Sequence, residues 1–163
     1  MHDGKIRIMF VCYGNICRSP MAEYIFKKLA EDYGFSERCE IASAATSGEE
    51  IVGGVGNPVY PPARRELIRR GIGCGDRRAV RLKKEDYKNF DLFVGMDDGN
   101  IFSMRAVFGG DPDNKIKKLM DFAGGGDVVD PWYTGRFDTA FSDIFKGVSA
   151  LAETLFGVKI ASV

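Results

Sequence analysis

Apolar residues recur along this chain in two rhythms. Ile6, Ile8, Met9, Phe10 and Val11 form a nearly continuous run broken only by Arg7. Such runs mark strands buried on both faces, and this one delivers Cys12 to the end of the strand. From residue 21 the rhythm changes. Met21-Ala22, Ile25-Phe26, Leu29-Ala30 and Tyr33 repeat four apart, with Glu23, Lys27, Lys28, Glu31 and Asp32 outside the stripe. That spacing predicts a helix over 21–33. Pro20 suits its first position, Ser19 suits the N-cap, and Gly34 ends it.

The alternation continues downstream. A short strand is expected over 40–45, then a long Gly/Pro-rich loop over 46–62, too polar and broken for core. Residues 63–70 look helical up to Gly71, and 84–89 could form a short helix. Residues 91–96 read as a buried strand. Asp97 is placed to cap a helix running to Phe108. A weaker strand is expected over 116–120. Gly124-Gly125-Gly126 then breaks the chain before Asp130-Pro131, and 140–155 is a last amphipathic helix. Strands alternating with helices predict an α/β fold, a parallel sheet covered on both faces in a three-layer α/β/α sandwich. No repeat, linker or composition shift divides the chain, so residues 1–163 read as one domain.

Composition narrows the function classes. At 163 residues the chain can bury about two thirds of its unfolded surface. Lys plus Arg and Asp plus Glu both number 23, so no basic excess points to nucleic acid or a membrane surface. No stretch reaches the roughly 18 apolar residues of a membrane span. The apolar run after Lys5 is too short for a secretory signal and reads as a strand. The 4 cysteines do not make a disulfide-dense scaffold, which favours a reducing, cytoplasmic location.

The chemistry concentrates in Val11-Cys12-Tyr13-Gly14-Asn15-Ile16-Cys17-Arg18-Ser19-Pro20. A lone cysteine at a strand end is commonly a small core residue, and a lone arginine a solvated charge. Bracketing one strand-to-helix turn, Cys12 and Arg18 can instead face a single bound phosphate. In a parallel sheet, ligands sit beyond the carboxyl ends of the strands. There the first N–H groups of a helix have no intrahelical partners and can converge on an anion. Gly14 allows close backbone approach, and Asn15 tolerates a left-handed conformation. The electropositive turn favours the thiolate of Cys12. Arg18 offers a planar fork for two phosphate oxygens. Ser19 can donate to the sulfur, or serve only as a helix cap.

Thiolate attack on a phosphate ester needs a proton donor for the departing group. His2, the only histidine, lies at the N-terminus and is set aside. Asp130 is the better candidate: it precedes Pro131, which biases it to extended backbone, and its loop follows the last expected strand. Trp132 and Tyr133 could wall a slot for a flat aryl group, or simply pack within the loop.

The ten-residue motif together with Asp130-Pro131-Trp132-Tyr133 resembles the low-molecular-weight protein tyrosine phosphatases, over essentially the whole chain. Ser43-Ala44-Ala45-Thr46-Ser47 and Met96-Asp97 with Asn100 fit the family's second strand and a later strand-to-helix junction. The resemblance implies a four-stranded parallel sheet between helices, flavodoxin-like in class, with no metal or other cofactor. It implies Cys12 as nucleophile through a phosphocysteine, Arg18 as transition-state binder and Asp130 as general acid and then base. Tyr13, Gly14, Asn15, Ile16, Cys17, Ser19, Trp132 and Tyr133 would hold the substrate, a phosphotyrosine protein or small aryl phosphate. It further implies a monomer, with weak self-association at most. Ile16 matches the tyrosine phosphatases, whereas related arginine phosphatases carry Thr there. Cys17 can pair with the nucleophile in a protective disulfide.

This sequence departs from the family at two places. A histidine that supports the loop asparagine is replaced, with Arg77 or Arg78 the nearest match. An aromatic wall residue after the Ala-Ala-Thr-Ser stretch gives way to Gly48-Glu49-Glu50. Two other readings use the same loop. An arsenate reductase would need a close downstream cysteine pair, and only Cys39 and Cys74 remain. A non-catalytic phosphotyrosine-binding module would be expected to lack Cys12, Arg18 or Asp130.

Overall fold

A computed structural model describes residues 3–161; His2 lies outside them. The expected alternation gives a sheet of four parallel strands: β1 (Ile6–Cys12), β2 (Cys39–Ala45), β5 (Leu92–Gly95) and β6 (Ile116–Lys118). Their order is β2-β1-β5-β6. The chain leaves β1 toward one side of the sheet for β2 and later returns on its other side for β5. The carboxyl end of β1 is therefore the point where the winding reverses, the place such folds keep for ligands.

Helices α1 (Arg18–Asp32), α2 (Pro61–Arg69) and α6 (Phe137–Phe156) cover one face, and α4 (Asp98–Phe108) covers the other. The side chains of β1 alternate between them. Ile8, Phe10 and Cys12 join the core under α1 and α6, which includes Met21, Phe26, Ile144 and Leu151. Met9 and Val11 join Phe93, Met104 and Phe108 beneath α4. Fully buried Phe10 and Phe26 lie 5.7 Å apart between ring centres. Each such side chain removed from water stabilises the fold by about 1.5–3 kcal/mol.

Several boundaries differ from the sequence expectations, for local reasons. The first helix begins at Arg18, with Cys17 as its N-cap and no side-chain capping bond. Ser19 is thus not the cap, and Pro20 sits in the third helical position, still within the turn whose N–H groups have no helical partner. The 46–62 segment is not wholly loop. It holds a hairpin, β3 (Ile51–Val52) with β4 (Val55–Gly56), turned by Gly53 and Gly54. Pro61, placed in that loop, opens α2. The short helix α3 spans Asp86–Asn89. β6 stops at Lys118, and Leu119–Ala123 continue as a 3-10 turn. The last helix starts three residues earlier than expected, at Phe137. Asp97 caps α4 as foreseen: its side chain accepts from Asn100 N–H, and the Asn100 side chain accepts from the Asp97 N–H in return. No helix among the described residues is long and apolar enough to cross a membrane.

Candidate active site

Residues 13–17 form the turn between β1 and α1. Three carbonyls along residues 12–16 are tied to neighbouring segments: Cys12 O accepts from Thr46 N–H at 3.0 Å, Tyr13 O from Ser47 at 3.0 Å and Ile16 O from Tyr60 at 2.9 Å. Asn15 N–H and Ser19 N–H reach Cys12 Sγ at 3.3 and 3.4 Å. No hydrogen bond among the described residues uses the N–H of Gly14, Ile16 or Cys17 as donor. The turn is possible because Asn15 takes φ +59°, in the left-handed region where asparagine is better tolerated than most residues.

Donor counting orients the polar groups behind the sulfur. Ser43 Oγ lies 2.6 Å from Glu23 Oε1, so its hydroxyl donates to the carboxylate and its oxygen accepts from Asn15 Nδ2 at 3.0 Å. The second Nδ2 hydrogen goes to Ser19 Oγ at 2.8 Å. Asn15 Oδ1 accepts from Arg77 Nη2 at 3.1 Å and from Val80 N–H at 3.0 Å. Every polar valence of the Asn15 amide is filled, which sets its orientation. Ser19 Oγ, already accepting from Asn15, keeps its own proton free to donate to a Cys12 thiolate, whose Sγ is 3.0 Å away. Asn15, Ser19, Ser43 and Glu23 are all buried, so each group lost from this chain would leave a partner unsatisfied.

Arg77 thus takes the supporting position left without a histidine; Arg78 instead donates to Gly56 O. Arg77 is held in turn by Glu23 at 3.3 Å. Glu23 belongs to the polar set outside the helical stripe, yet it is 6% exposed and anchors this network.

The Arg18 side chain is 3% exposed. Its Nη1 donates to Asp97 Oδ2 at 2.7 Å and to Val128 O at 2.8 Å, and its Nη2 lies 3.6 Å from Asp130 Oδ2. Burial alone would lower this guanidinium, but the Cys12 sulfur and the Asp97 and Asp130 carboxylates outweigh it. Its pKa is held above the ordinary arginine value. Asp130 caps α5 (Pro131–Thr134), accepting Trp132 N–H at 3.0 Å, which leaves its second oxygen toward Arg18. Burial pushes the Cys17 thiol well up, and negative charge on Cys12 and Asp130 adds to the effect.

A cleft of about 120 Å³ brings together Cys12, Tyr13, Gly14, Ile16, Cys17 and Arg18 from the turn with Asp130, Trp132 and Tyr133 from the other wall. Of the turn residues named from sequence, only Asn15 and Ser19 stand behind the cleft instead of lining it. Ile16 packs with Ala79 and with Ile51 of the hairpin. Trp132 leans on Tyr60, ring centres 4.7 Å apart, so it packs and lines the cleft at once. Tyr133 is 84% exposed. Glu49 and Glu50 complete the rim, where Tyr13 Oη donates to Glu49 at 2.8 Å.

Sequence reasoning missed three contributors. The sequence marks Asp97 as a cap and not as the partner of Arg18; its position at the carboxyl end of the strand beside β1 is the available signal. Glu23 and Tyr60 carried no local signal.

A parallel-sheet protein with a hydrogen-bonded cysteine, a buried arginine and unused N–H groups at its switch point falls in the class of cysteine-dependent phosphate-ester hydrolases. Comparison with known proteins sharpens this. The family model for low molecular weight phosphotyrosine protein phosphatase matches residues 7–160, and the chain belongs to that family. It is 44% identical over 157 residues to the low molecular weight phosphotyrosine protein phosphatase of Homo sapiens, covering 90% of this chain and 93% of that one. Identity to the low molecular weight protein-tyrosine-phosphatase YfkJ of Bacillus subtilis is 37% over 153 residues, 92% and 96% of the two chains. The crystal structure of YfkJ superposes with a TM-score of 0.86 at 36% identity, over 93% of this chain and 94% of that one. The YwlE arginine phosphatase is also similar in structure, with TM-score 0.78 and 27% identity over 92% and 95% of the chains.

Proposed function

We propose that this protein hydrolyses phosphotyrosine and small aryl phosphates through a phosphocysteine intermediate. One observation carries the reading: Cys12 Sγ receives two N–H groups and lies 3.0 Å from the Ser19 hydroxyl, which a buried network holds in place, beside a buried guanidinium. Those donors stabilise a sulfur anion better than a thiol. The phosphoryl group enters with its oxygens on the unused N–H groups and on Arg18. Cys12 thiolate attacks phosphorus as the bond to the aryl oxygen breaks, and Asp130 gives its proton to that oxygen. Water then attacks the phosphocysteine and loses a proton to Asp130. The sulfur–phosphorus bond breaks, Ser19 O–H steadies the departing thiolate, and inorganic phosphate leaves. Arg18 and the N–H groups face the oxygens that gain charge in both transition states.

Ile16, Tyr13 and Trp132 make the cleft walls apolar and aromatic, which favours tyrosine as the ester partner over arginine. The relative YwlE, called an arginine phosphatase, has been seen with a phosphorylated active-site serine in a cysteine-to-serine mutant. That supports a covalent phosphoryl-enzyme route on this fold. An arsenate-reducing relay is disfavoured by position. Cys39 pairs with Ile6 at the start of β1, six residues and about 20 Å from Cys12 along the strand. Cys74 is buried against Arg64. Cys17 lines the same cleft and, once it gives up its proton, can condense with a sulfenic acid on Cys12, forming a disulfide as the leaving hydroxide takes that proton away as water; burial, which holds the thiol protonated, slows this step.

The test is Cys12→Ser assayed on p-nitrophenyl phosphate and on matched phosphotyrosine and phosphoarginine peptides. Turnover should vanish while phosphate still protects the variant against thermal unfolding. Retained turnover would remove Cys12 as nucleophile, and a preference of the wild-type chain for phosphoarginine would overturn the tyrosine assignment.

A further inference from the structure

The phosphate cleft is cationic only at its floor. Among the described residues lining the cleft and the groove that continues from it, Arg18 is the only cation. Against it stand Glu49, Glu50, Asp97 and Asp130. Asp97 and Asp130 are turned to Arg18, at 2.7 and 3.6 Å, and so belong to the floor. Glu49 and Glu50 have no such partner: Glu49 is met by the Tyr13 hydroxyl and Glu50 by the Asn57 side-chain amide at 2.9 Å, both neutral donors. Arg81, which lies against Gly48 of the same loop, lines a separate cleft with Met9 and Ala44. The rim therefore carries two uncompensated carboxylates at the entrance to a site built for an anion.

Aromatic faces stand at the same entrance. Tyr13 is 49% exposed with its hydroxyl tethered to Glu49, and Trp132 is 53% exposed on the opposing wall. A carboxylate paired with an open aromatic face is the arrangement that attracts ammonium and guanidinium groups, by charge and by the ring quadrupole together. It repels a second anion.

We propose that Glu49 and Glu50, with the Tyr13 and Trp132 rings, form a cation subsite that selects phosphotyrosine flanked by lysine or arginine and disfavours acidic flanks. The inference rests on the phosphotyrosine reading above and names the substrate class within it. Selection of this kind is set at the rim, so the chemistry at Cys12 is common to all substrates and the flanks alter capture. The preference appears in kcat/KM, falls with added salt, and vanishes for substrates without flanks.

The experiment compares three phosphotyrosine peptides identical except for lysine, alanine or glutamate on both sides of the phosphotyrosine, with p-nitrophenyl phosphate as the flankless reference. In low salt the lysine peptide should exceed the glutamate peptide in kcat/KM by about tenfold, shrinking to about threefold near 0.3 M salt. In the Glu49→Gln, Glu50→Gln double variant the ratio between the peptides should fall to within about twofold. Equal rates for the three peptides in the wild-type chain, or a ratio unchanged in the double variant, would overturn the proposal. Binding of the same peptides to Cys12→Ser, followed by the fluorescence of Trp132, the chain's only tryptophan, separates the two readings. Ranked binding without wild-type turnover would refute the phosphatase reading and keep the subsite; turnover without ranking would refute the subsite alone.

Discussion

Replacing Asp97 by asparagine separates two jobs held by one side chain. Asp97 Oδ1 caps α4 through the Asn100 N–H at 2.8 Å, and Oδ2 accepts Arg18 Nη1 at 2.7 Å. Asparagine keeps an acceptor for the cap but sets an amide N–H₂ against the guanidinium, so a charge-assisted bond is lost and two donors meet. A hydrogen bond to a charged group contributes about 1.5–3 kcal/mol. Losing one partner of a fully buried pair costs about 3–5 kcal/mol. Arg18 keeps Val128 O and the Asp130 carboxylate nearby, and Asp97 is 28% exposed, so the lower range applies: about 1.5–3 kcal/mol. Asp97→Ala should cost about 1 kcal/mol more, the worth of the cap. Urea unfolding of wild type and both variants measures these differences. Because a guanidinium fork out of line serves the transition state less well, kcat on p-nitrophenyl phosphate should fall about tenfold to hundredfold in Asp97→Asn. A variant within 0.5 kcal/mol of wild type on this order-of-magnitude scale, with kcat unchanged, would refute the claim that Asp97 holds Arg18.

Asp130→Ala should slow phenyl phosphate by about 10²–10⁴-fold and p-nitrophenyl phosphate far less, because a good leaving group needs no proton. Equal slowing of the two, read from kcat, would argue against Asp130 as the acid. Ser19→Ala removes the hydroxyl 3.0 Å from Cys12 Sγ and leaves an Asn15 N–H unmatched. It should lower kcat by about tenfold or more and destabilise by about 1–3 kcal/mol; a stability loss with kcat intact would make Ser19 purely structural. Gly147→Ala tests the packing of α6: the added Cβ would lie 2.6 Å from Leu119 Cγ, and overpacking of this kind costs about 1–3 kcal/mol. A melting temperature equal to wild type would show that Leu119 yields freely.

What could be read in advance followed from how local the physics is. β1 was legible because a strand covered on both faces must be apolar throughout, and the apolar stripe of α1 repeats clearly. The Asp97 cap was legible because its partner is three residues away. For Ser19 the sequence leaves two readings open, because a serine before a proline satisfies the local rule for a cap; the structure gives the cap to Cys17 and sets Ser19 against the sulfur seven residues back across a turn. The β3–β4 hairpin escaped notice because two-residue strands around Gly53-Gly54 carry no periodicity. The contacts of Arg18 with Asp97 and of Arg77 with Asn15 span 79 and 62 residues. Only the order of strands in the sheet brings those pairs together, and strand order is a property of the whole chain.

The proposed nucleophile and the proposed acid are mounted very differently. Cys12 ends a strand flanked by parallel neighbours on both sides, whereas Asp130 stands four residues beyond three consecutive glycines with φ of +99°, +96° and +99°, joined to the sheet's end by the Val128 N–H to Met96 O bond. Amide deuteration should therefore reach the Asp130 segment through small local openings and the β1 amides only when the molecule unfolds globally. Substitutions in the glycine strap would thus shift the proposed proton donor without disturbing the bed in which the sulfur lies.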